Sequence, residues 1–351
     1  MGFEGTEVSS EFRETLSGIQ PGGLVLFARN IKAPQQTWEL LRDGQKLVSM
    51  PMFLCVDMEG GKVDRFRNVL GPSPSAADVF ASADKTLFYR HGKIIGDAVR
   101  ALGFNTDFAP VVDLDFKASR VALASRTVSA NPKETIRYAR AFLQGLSDAG
   151  VLGCGKHFLG LGEGNLDSHY DLPVIKKSWK KLWDQDLVPY RKMRNEFPFV
   201  LVSHAAYPAV TGDNKPASLS RKLINDVLRK KIRYQGLILP DDMEMGALLS
   251  TTSIEDAAIE TLRAGSDMLL ICRNYEHVQL AYDSVLWQAQ RDREFASRVS
   301  EAYRRVIAFK KKVRLRRPTS PPKEARVQKL SRELWELGEQ LRLQAVGKET
   351  A

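Results

Sequence analysis

The residue types suited to chemistry fall into four clusters. The densest is 156–173, KHFLGLGEGNLDSHYDLP. It opens with Lys156 and His157 and passes through Gly160, Gly162 and Gly164. Glycine admits backbone dihedrals that other residues avoid, so this spacing predicts a sharply turning loop. The loop carries Asp167-Ser168-His169. In an extended or turning segment, residues i and i+2 can share a side. A carboxylate beside an imidazole fixes its tautomer and raises its basicity. His169 is therefore a candidate general acid/base with Asp167 as partner. The alternative is an exposed loop histidine next to a helix-capping aspartate.

The second cluster, Pro240-Asp241-Asp242-Met243-Glu244, follows the apolar run 236–239. A carboxylate at the C-terminal end of a strand can be a nucleophile, a base or a metal ligand. An Asp there also commonly caps the next helix, and two adjacent aspartates can divide these tasks. The third cluster runs from Asp57 to Arg65, DMEGGKVDR: an acid ends a strand, Gly60-Gly61 opens a turn, and Arg65 lies where the chain can fold back. The fourth is Ser125-Arg126-Thr127. The histidines at 91, 157, 169, 204 and 277 form no HxxH, HExxH or HxH, so no metal site is expected. His157 and His204 both end apolar runs and are candidates to line one mouth. Cys55, Cys154 and Cys272 lie far apart in apolar runs and read as buried thiols. Neither GxGxxG after a strand nor GxxxxGK[ST] occurs, so no nucleotide cofactor is expected. GxSxG is absent, which argues against a serine hydrolase.

The elements that must position these residues are repeated strand–helix units. Continuous apolar runs recur at 23–28, 53–58, 104–109, 151–158, 199–204, 236–241 and 266–272. Such runs suit parallel strands covered on both faces. Amphipathic stretches at 35–48, 85–101, 133–149, 221–231, 254–264 and 276–290 lie between or after them. A further short strand at 1–4 makes eight, enough to close a (β/α)8 TIM-type barrel. Polar residues sit at the C-terminal end of nearly every run, the face where barrels build their sites. The expected organisation is one catalytic domain over 1–317, then a Pro-rich linker and a C-terminal helix over 318–351. In that helix Val327, Leu330, Leu334, Leu337 and Leu341 form one apolar stripe, expected to dock on the parent domain.

Composition excludes several function classes. With 351 residues, 43% hydrophobic and 27% charged, the chain is an ordinary globular protein rather than a disordered one. No apolar run approaches the roughly 20 residues of a membrane helix. The start, MGFEGTEVSSEFRE, has no secretory pattern, so the expected compartment is the cytoplasm. The net charge of +10 is a tail property, because residues 301–351 hold 14 Lys/Arg against 6 Asp/Glu. The run RRVIAFKKKVRLRR, 304–317, reads first as a solvated helix face, with RNA, a membrane surface or an acidic partner as alternatives. No nucleic-acid partner is expected, and a monomer is favoured.

Together these clusters resemble the bacterial β-N-acetylhexosaminidases of glycoside hydrolase family 3, of the single-domain peptidoglycan-recycling type. That family shows KHFPGHG, a DSH loop and LP, similar to 156–162, Asp167 to His169 and Leu172-Pro173. Its ILFARN resembles 24–30, its D-x-EGG-x-V-x-R resembles Asp57 to Arg65, and its NFAPV is echoed at 107–111. PATLS resembles 216–220 and AGxDM resembles 264–268, so the likeness runs in order over roughly residues 2–275. The resemblance implies retaining hydrolysis of terminal β-linked N-acetylglucosamine from peptidoglycan fragments. Asp241 would be the nucleophile, and His169, paired with Asp167, the acid/base. Asp57, Arg65, Arg126, Lys156 and His157 would bind the sugar. The partner is then a small carbohydrate, with no cofactor. Leu161 replaces a family histidine and Pro240 a family Ser or Thr; both departures bear on substrate fit and rate. A phosphorylase of the same fold and a non-catalytic sugar-binding or scaffold protein are the competing functions.

Overall fold

A computed structural model describes residues 1–164, 172–315 and 320–349. The expected parallel strands appear as two three-stranded sheets with an inserted hairpin. β1 (Gly23–Leu26) pairs in parallel with β2 (Phe53–Val56). After β2 the chain folds into the antiparallel hairpin β3 (Met58–Gly60) and β4 (Val63–Asp64). β5 (Thr106–Asp107) completes the first sheet beside β2. The second sheet holds β6 (Cys154–Phe158), β7 (Phe199–Val202) and β8 (Leu237–Pro240), all parallel. Because strand side chains alternate between faces, each apolar run feeds two cores. Val25, Phe53, Cys55, Cys154, Phe199, Leu201, Leu237 and Leu239 pack together on one side. Leu24, Leu26, Leu54, Val56, Val200, Val202 and Ile238 pack under the helices on the other. All three cysteines are free and buried.

Backbone contacts join the two sheets. Thr106 bridges Leu152 and Val111 bridges Lys156, both in parallel. On the opposite flank the Asp267 N–H donates to the Ile238 carbonyl at 2.8 Å and the Gly2 N–H to the Ile271 carbonyl at 2.7 Å. The Val25 N–H then donates to the Met1 carbonyl at 2.9 Å.

The expected strands at 1–4 and 266–272 are not regular strands, for a local reason in each case. The Asp241 N–H donates to the Val202 carbonyl, so Asp241 and Leu239 turn their amides to β7. Positions 238 and 240 therefore face 266–272. Pro240 has no N–H to give, and the Ile238 N–H is taken by the Asp267 carboxylate at 2.9 Å, so the ladder fails there. At the chain start, side chains replace the ladder: Asn30 Nδ2 donates to the carbonyls of Phe3 (3.0 Å) and Gly5 (2.7 Å).

The helices follow the amphipathic stretches closely. They include α1 (Ser10–Ile19), α2 (Pro34–Lys46), α3 (Lys85–Ala101), α4 (Pro132–Asp148), α5 (Lys222–Lys231), α6 (Ile254–Ala264), α7 (Tyr275–Arg291) and α8 (Arg293–Val313). Side chains of Ser9, Asp84, Asn131, Ser253, Asn274 and Asp292 cap six of them by accepting first-turn N–H groups. The tail helix α9 (Glu324–Glu349) buries Leu330, Leu334, Leu337 and Leu341 against α3 and the short turn Arg67–Leu70. Arg90 Nη1 donates to Gln340 Oε1 at 2.9 Å across that contact.

Candidate active site

Six of the eight residues singled out in the sequence line one cavity of about 300 Å³ at the C-terminal ends of the strands. They are Asp57, Arg65, Arg126, Lys156, His157 and Asp241. Asp167 and His169 lie outside the described residues.

Local structure explains how neighbours in sequence reach one cavity. Lys156 and His157 are adjacent on β6 and would ordinarily point to opposite faces. The register of β6 against β7 shifts between Gly155 and Phe158, which lets both line the cavity. The hairpin after β2 turns at Gly60 and Gly61, with φ of +86° and +60°. A side chain on Gly61 would also meet Ser75 Cβ at 2.5 Å. Only glycine fits both demands, and the turn returns the chain to Arg65. The Arg65 guanidinium lies 5.4 Å from the Phe27 ring centroid. Its Nε is buried without a hydrogen-bond partner among the described residues.

A buried charge network fills one wall. Lys156 Nζ donates to Asp57 Oδ1 at 2.6 Å and lies 2.6 Å from Glu59 Oε1. Arg126 grips Glu59 with two parallel bonds, Nε to Oε2 and Nη2 to Oε1, both 2.8 Å. Such bidentate pairs fix geometry as well as contributing energy. Burial would raise the Glu59 carboxyl, but Arg126 and Lys156 hold it far below its ordinary value. Burial would also neutralise Lys156, and Asp57 and Glu59 more than reverse that. Behind them, buried Asp107 accepts the Met58 N–H at 2.9 Å. Burial drives its carboxyl well above the ordinary carboxylate value.

His157 is oriented from beneath. Its Nδ1 donates to Asp113 Oδ2 at 2.6 Å, and Asp113 also accepts the N–H groups of His157 and Leu161 at 3.2 and 2.7 Å. Nε2 is left as the acceptor toward Arg126 Nη2, 3.2 Å away. The two aspartates after β8 divide their work. Asp241 is half-buried on the cavity wall, and its Oδ1 accepts the Asp242 N–H at 2.9 Å. Burial would raise the Asp241 carboxyl; the Asp242 N–H and the Lys156 ammonium are among the groups that draw it below the usual carboxylate value. Asp242 Oδ1 caps the next turn through the Glu244 N–H at 3.1 Å. Burial, with Glu244 and Asp241 adding, pushes its carboxyl up to about 6.

His204 does not line the cavity. Its ring bonds to Ser218 Oγ at 2.8 Å and donates to the Asp242 carbonyl at 2.9 Å, so it braces the backbone behind Asp241. Glu59 and Asp113 were not singled out from sequence. Glu59 stands two residues past Asp57 in an extended hairpin, a spacing that places both on one side. Asp113 ends the run Val111-Val112 and carried only that weak signal. Among the described residues, no group of three or more His, Cys, Asp or Glu is arranged to hold a metal ion. The arrangement offers the Asp241 carboxylate, outside the ion pairs of Asp57 and Glu59, at the wall of a cavity rich in fixed donors, as nucleophilic attack on a polyhydroxylated substrate requires.

The chain is similar to known proteins over nearly its whole length. The sequence model of the Glycosyl hydrolase family 3 N terminal domain matches residues 2–309. A Beta-hexosaminidase of Alkalilimnicola ehrlichii is 34% identical over 285 residues, covering 79% of this chain and 81% of its own. One from Thiobacillus denitrificans is 34% identical over 289 residues, covering 80% and 79%. Among solved structures, a family 3 β-N-acetylglucosaminidase from Paenibacillus sp. superposes with a TM-score of 0.87 at 28% identity. That superposition covers 96% of this chain and 66% of the other. A family 3 glycosyl hydrolase from Mycobacterium smegmatis superposes with a TM-score of 0.79 at 30% identity, covering 88% and 94%. The α/β fold is thus of the TIM-barrel-like kind those neighbours share. A domain match spanning β1 to α8, with the charged cavity at its strand ends, places the chain in glycosyl hydrolase family 3, as a glycoside hydrolase.

Proposed function

We propose that this glycoside hydrolase removes terminal non-reducing β-linked N-acetylglucosamine with retention of configuration. The observation that carries the reading is the Asp241 carboxylate on the cavity wall at the end of β8, beside a network whose donors suit sugar hydroxyls. In the first step an Asp241 oxygen bonds to the anomeric carbon while the bond to the aglycone breaks. His169, held by Asp167, gives its proton to the departing oxygen. In the second step His169 takes a proton from water, whose oxygen displaces Asp241 and releases the sugar. A histidine here places less negative charge beside Asp241 than a second carboxylate would. Asp57, Arg65, Arg126, Lys156 and His157 hold the sugar. The names of the hexosaminidase relatives support the choice of sugar. We assign peptidoglycan fragments as the source and the cytoplasm as the compartment on the sequence resemblance. The two sheets are read as arcs of one closed eight-stranded barrel. The links from β5 to β6, and from β8 through 266–272 and residues 1–2 to β1, support it. The domain organisation is read as 1–317 catalytic and 318–351 accessory.

Phosphorolysis is the second reading. It is favoured by the Arg65 guanidinium, which faces the cavity and has no carboxylate partner among the described residues. Turnover of a chromogenic N-acetyl-β-glucosaminide with and without phosphate tests both. The proposal expects free sugar at the same rate in each. Sugar 1-phosphate appearing only with phosphate establishes the second reading, and no turnover in either leaves a sugar-binding protein.

A further inference from the structure

Exposed cations at the C-terminal end of α8 adjoin exposed apolar side chains of α7 and α8. Along α8, residues 303–315 hold six Lys/Arg and no Asp/Glu. Arg305 is engaged by Glu301, and Lys310 is buried over the Phe53 ring. That leaves Arg304, Lys311, Lys312 and Arg314 exposed, with no carboxylate within ion-pair distance among the described residues. Tyr303, 64% exposed, adjoins them on the same helix, and its neighbour α7 contributes Tyr282 and Leu286, 41% and 46% exposed. Tyr282 and Leu286 are one helical turn apart and so share a face.

Tyr282 and Tyr303 stand at the rim of a groove of about 360 Å³. Its walls are aliphatic: Met1, Ile19, Pro21, Met268 and Val285 are among them. The groove is lined by Pro21 and Gly22, which precede β1, and shares no lining residue with the cavity at the C-terminal strand ends. Docking there would leave the catalytic mouth in water.

We infer that the α7–α8 face is a docking surface for an anionic phospholipid bilayer. Of the four cations, Arg304, Lys311 and Arg314 lie within about 100° of Tyr303 around the helix axis and supply attraction to acidic headgroups, and two tyrosines and a leucine supply side chains that settle at a membrane interface. A nucleic acid would draw on the same cations. The aliphatic groove favours lipid, because it presents few groups that hydrogen-bond to base edges and suits acyl chains instead. The basic run alone does not reveal this face, since two of its three exposed apolar residues come from the neighbouring helix.

Vesicle co-sedimentation of the full chain tests the inference. The probes are vesicles of phosphatidylcholine alone and vesicles containing phosphatidylglycerol. Binding is expected only to the anionic vesicles, and it should weaken as salt rises. The pair Lys311→Ala and Arg314→Ala lowers partitioning about thirtyfold, roughly fivefold per cation. Tyr303→Ser with Leu286→Ser lowers it as well, while both variants retain turnover of a soluble glycoside, which shows that they fold. Equal binding to both vesicle types, or anionic binding untouched by either pair, overturns the inference. So does RNA retardation that the alanine pair abolishes while anionic vesicles fail to compete.

Discussion

Replacing Glu59 with glutamine removes one negative charge and almost no volume from the densest contact in the site. Glu59 accepts at 2.8 Å from Arg126 Nε, at 2.8 Å from Arg126 Nη2 and at 2.6 Å from Lys156 Nζ. The last two share Oε1, so a glutamine oxygen placed there keeps both. Its NH2 then faces Arg126 Nε donor to donor. One charge-assisted bond, about 1.5–3 kcal/mol, becomes a repulsion. Breaking one side of a buried ion pair costs about 3–5 kcal/mol in general. Asp57 remains on Lys156, so the expected loss of stability is at the lower end, about 3 kcal/mol. Urea denaturation of parent and variant measures it. The pH dependence gives a second check. A carboxyl whose folded value lies below its unfolded value contributes stability above the unfolded value and loses it as pH falls toward the folded one. The gap between parent and variant should therefore be complete at neutral pH and shrink below about 4.5, the ordinary value for Glu. A gap under about 1 kcal/mol would mean the network is solvated and the pair weak, which refutes the reasoning. A gap that persists unchanged into acid would refute the electrostatic part of it.

Other expectations follow from the same structure. Asp113→Asn removes the acceptor that fixes the His157 tautomer, so kcat/KM should fall about 10–100-fold, the worth of one charge-assisted bond, with the imidazole nitrogen shifts in NMR showing the change; unaltered shifts would contradict it. His91 is fully buried, and burial lowers it from 6.5 to about 4, so the folded state resists protonation that the unfolded state accepts. Stability should drop by about 3 kcal/mol as pH falls from 6.5 to 4, and His91→Gln should lose that slope in urea titrations. Removing residues 318–351 exposes the surface covered by four buried leucines and should lower Tm by several degrees while leaving kcat/KM intact. A folded but inactive truncation would show that the tail reaches the cavity.

The helices were legible because an amphipathic period is a local property: the stretches at 85–101 and 254–264 match α3 and α6 to the residue. The docking stripe of α9 was legible for the same reason. Strand ends were legible where an apolar run met a charge, and this brought Asp57, Lys156, His157 and Asp241 to one cavity. Pairing was less visible, because a ladder depends on the neighbour's donors. Nothing within 266–272 reveals that Pro240 withholds an N–H from it. The second layer of the site was hidden likewise. Asp113 earns its place only when Val111 comes to lie beside Lys156, 45 residues away in sequence. His204 resembled His157 in sequence context, yet Ser218 and the Asp242 carbonyl claim its ring.

Retaining hydrolysis by this site requires Asp241 to be the carboxylate that attacks the sugar. Treating the enzyme with a fluorinated N-acetylglucosaminide that forms the glycosyl-enzyme quickly and hydrolyses it slowly should trap the intermediate for peptide mass spectrometry. The expected result is one label per chain, carried by Asp241 and lost in Asp241→Ala. A label on Asp242, or an unlabelled enzyme that releases sugar of inverted configuration, would contradict it.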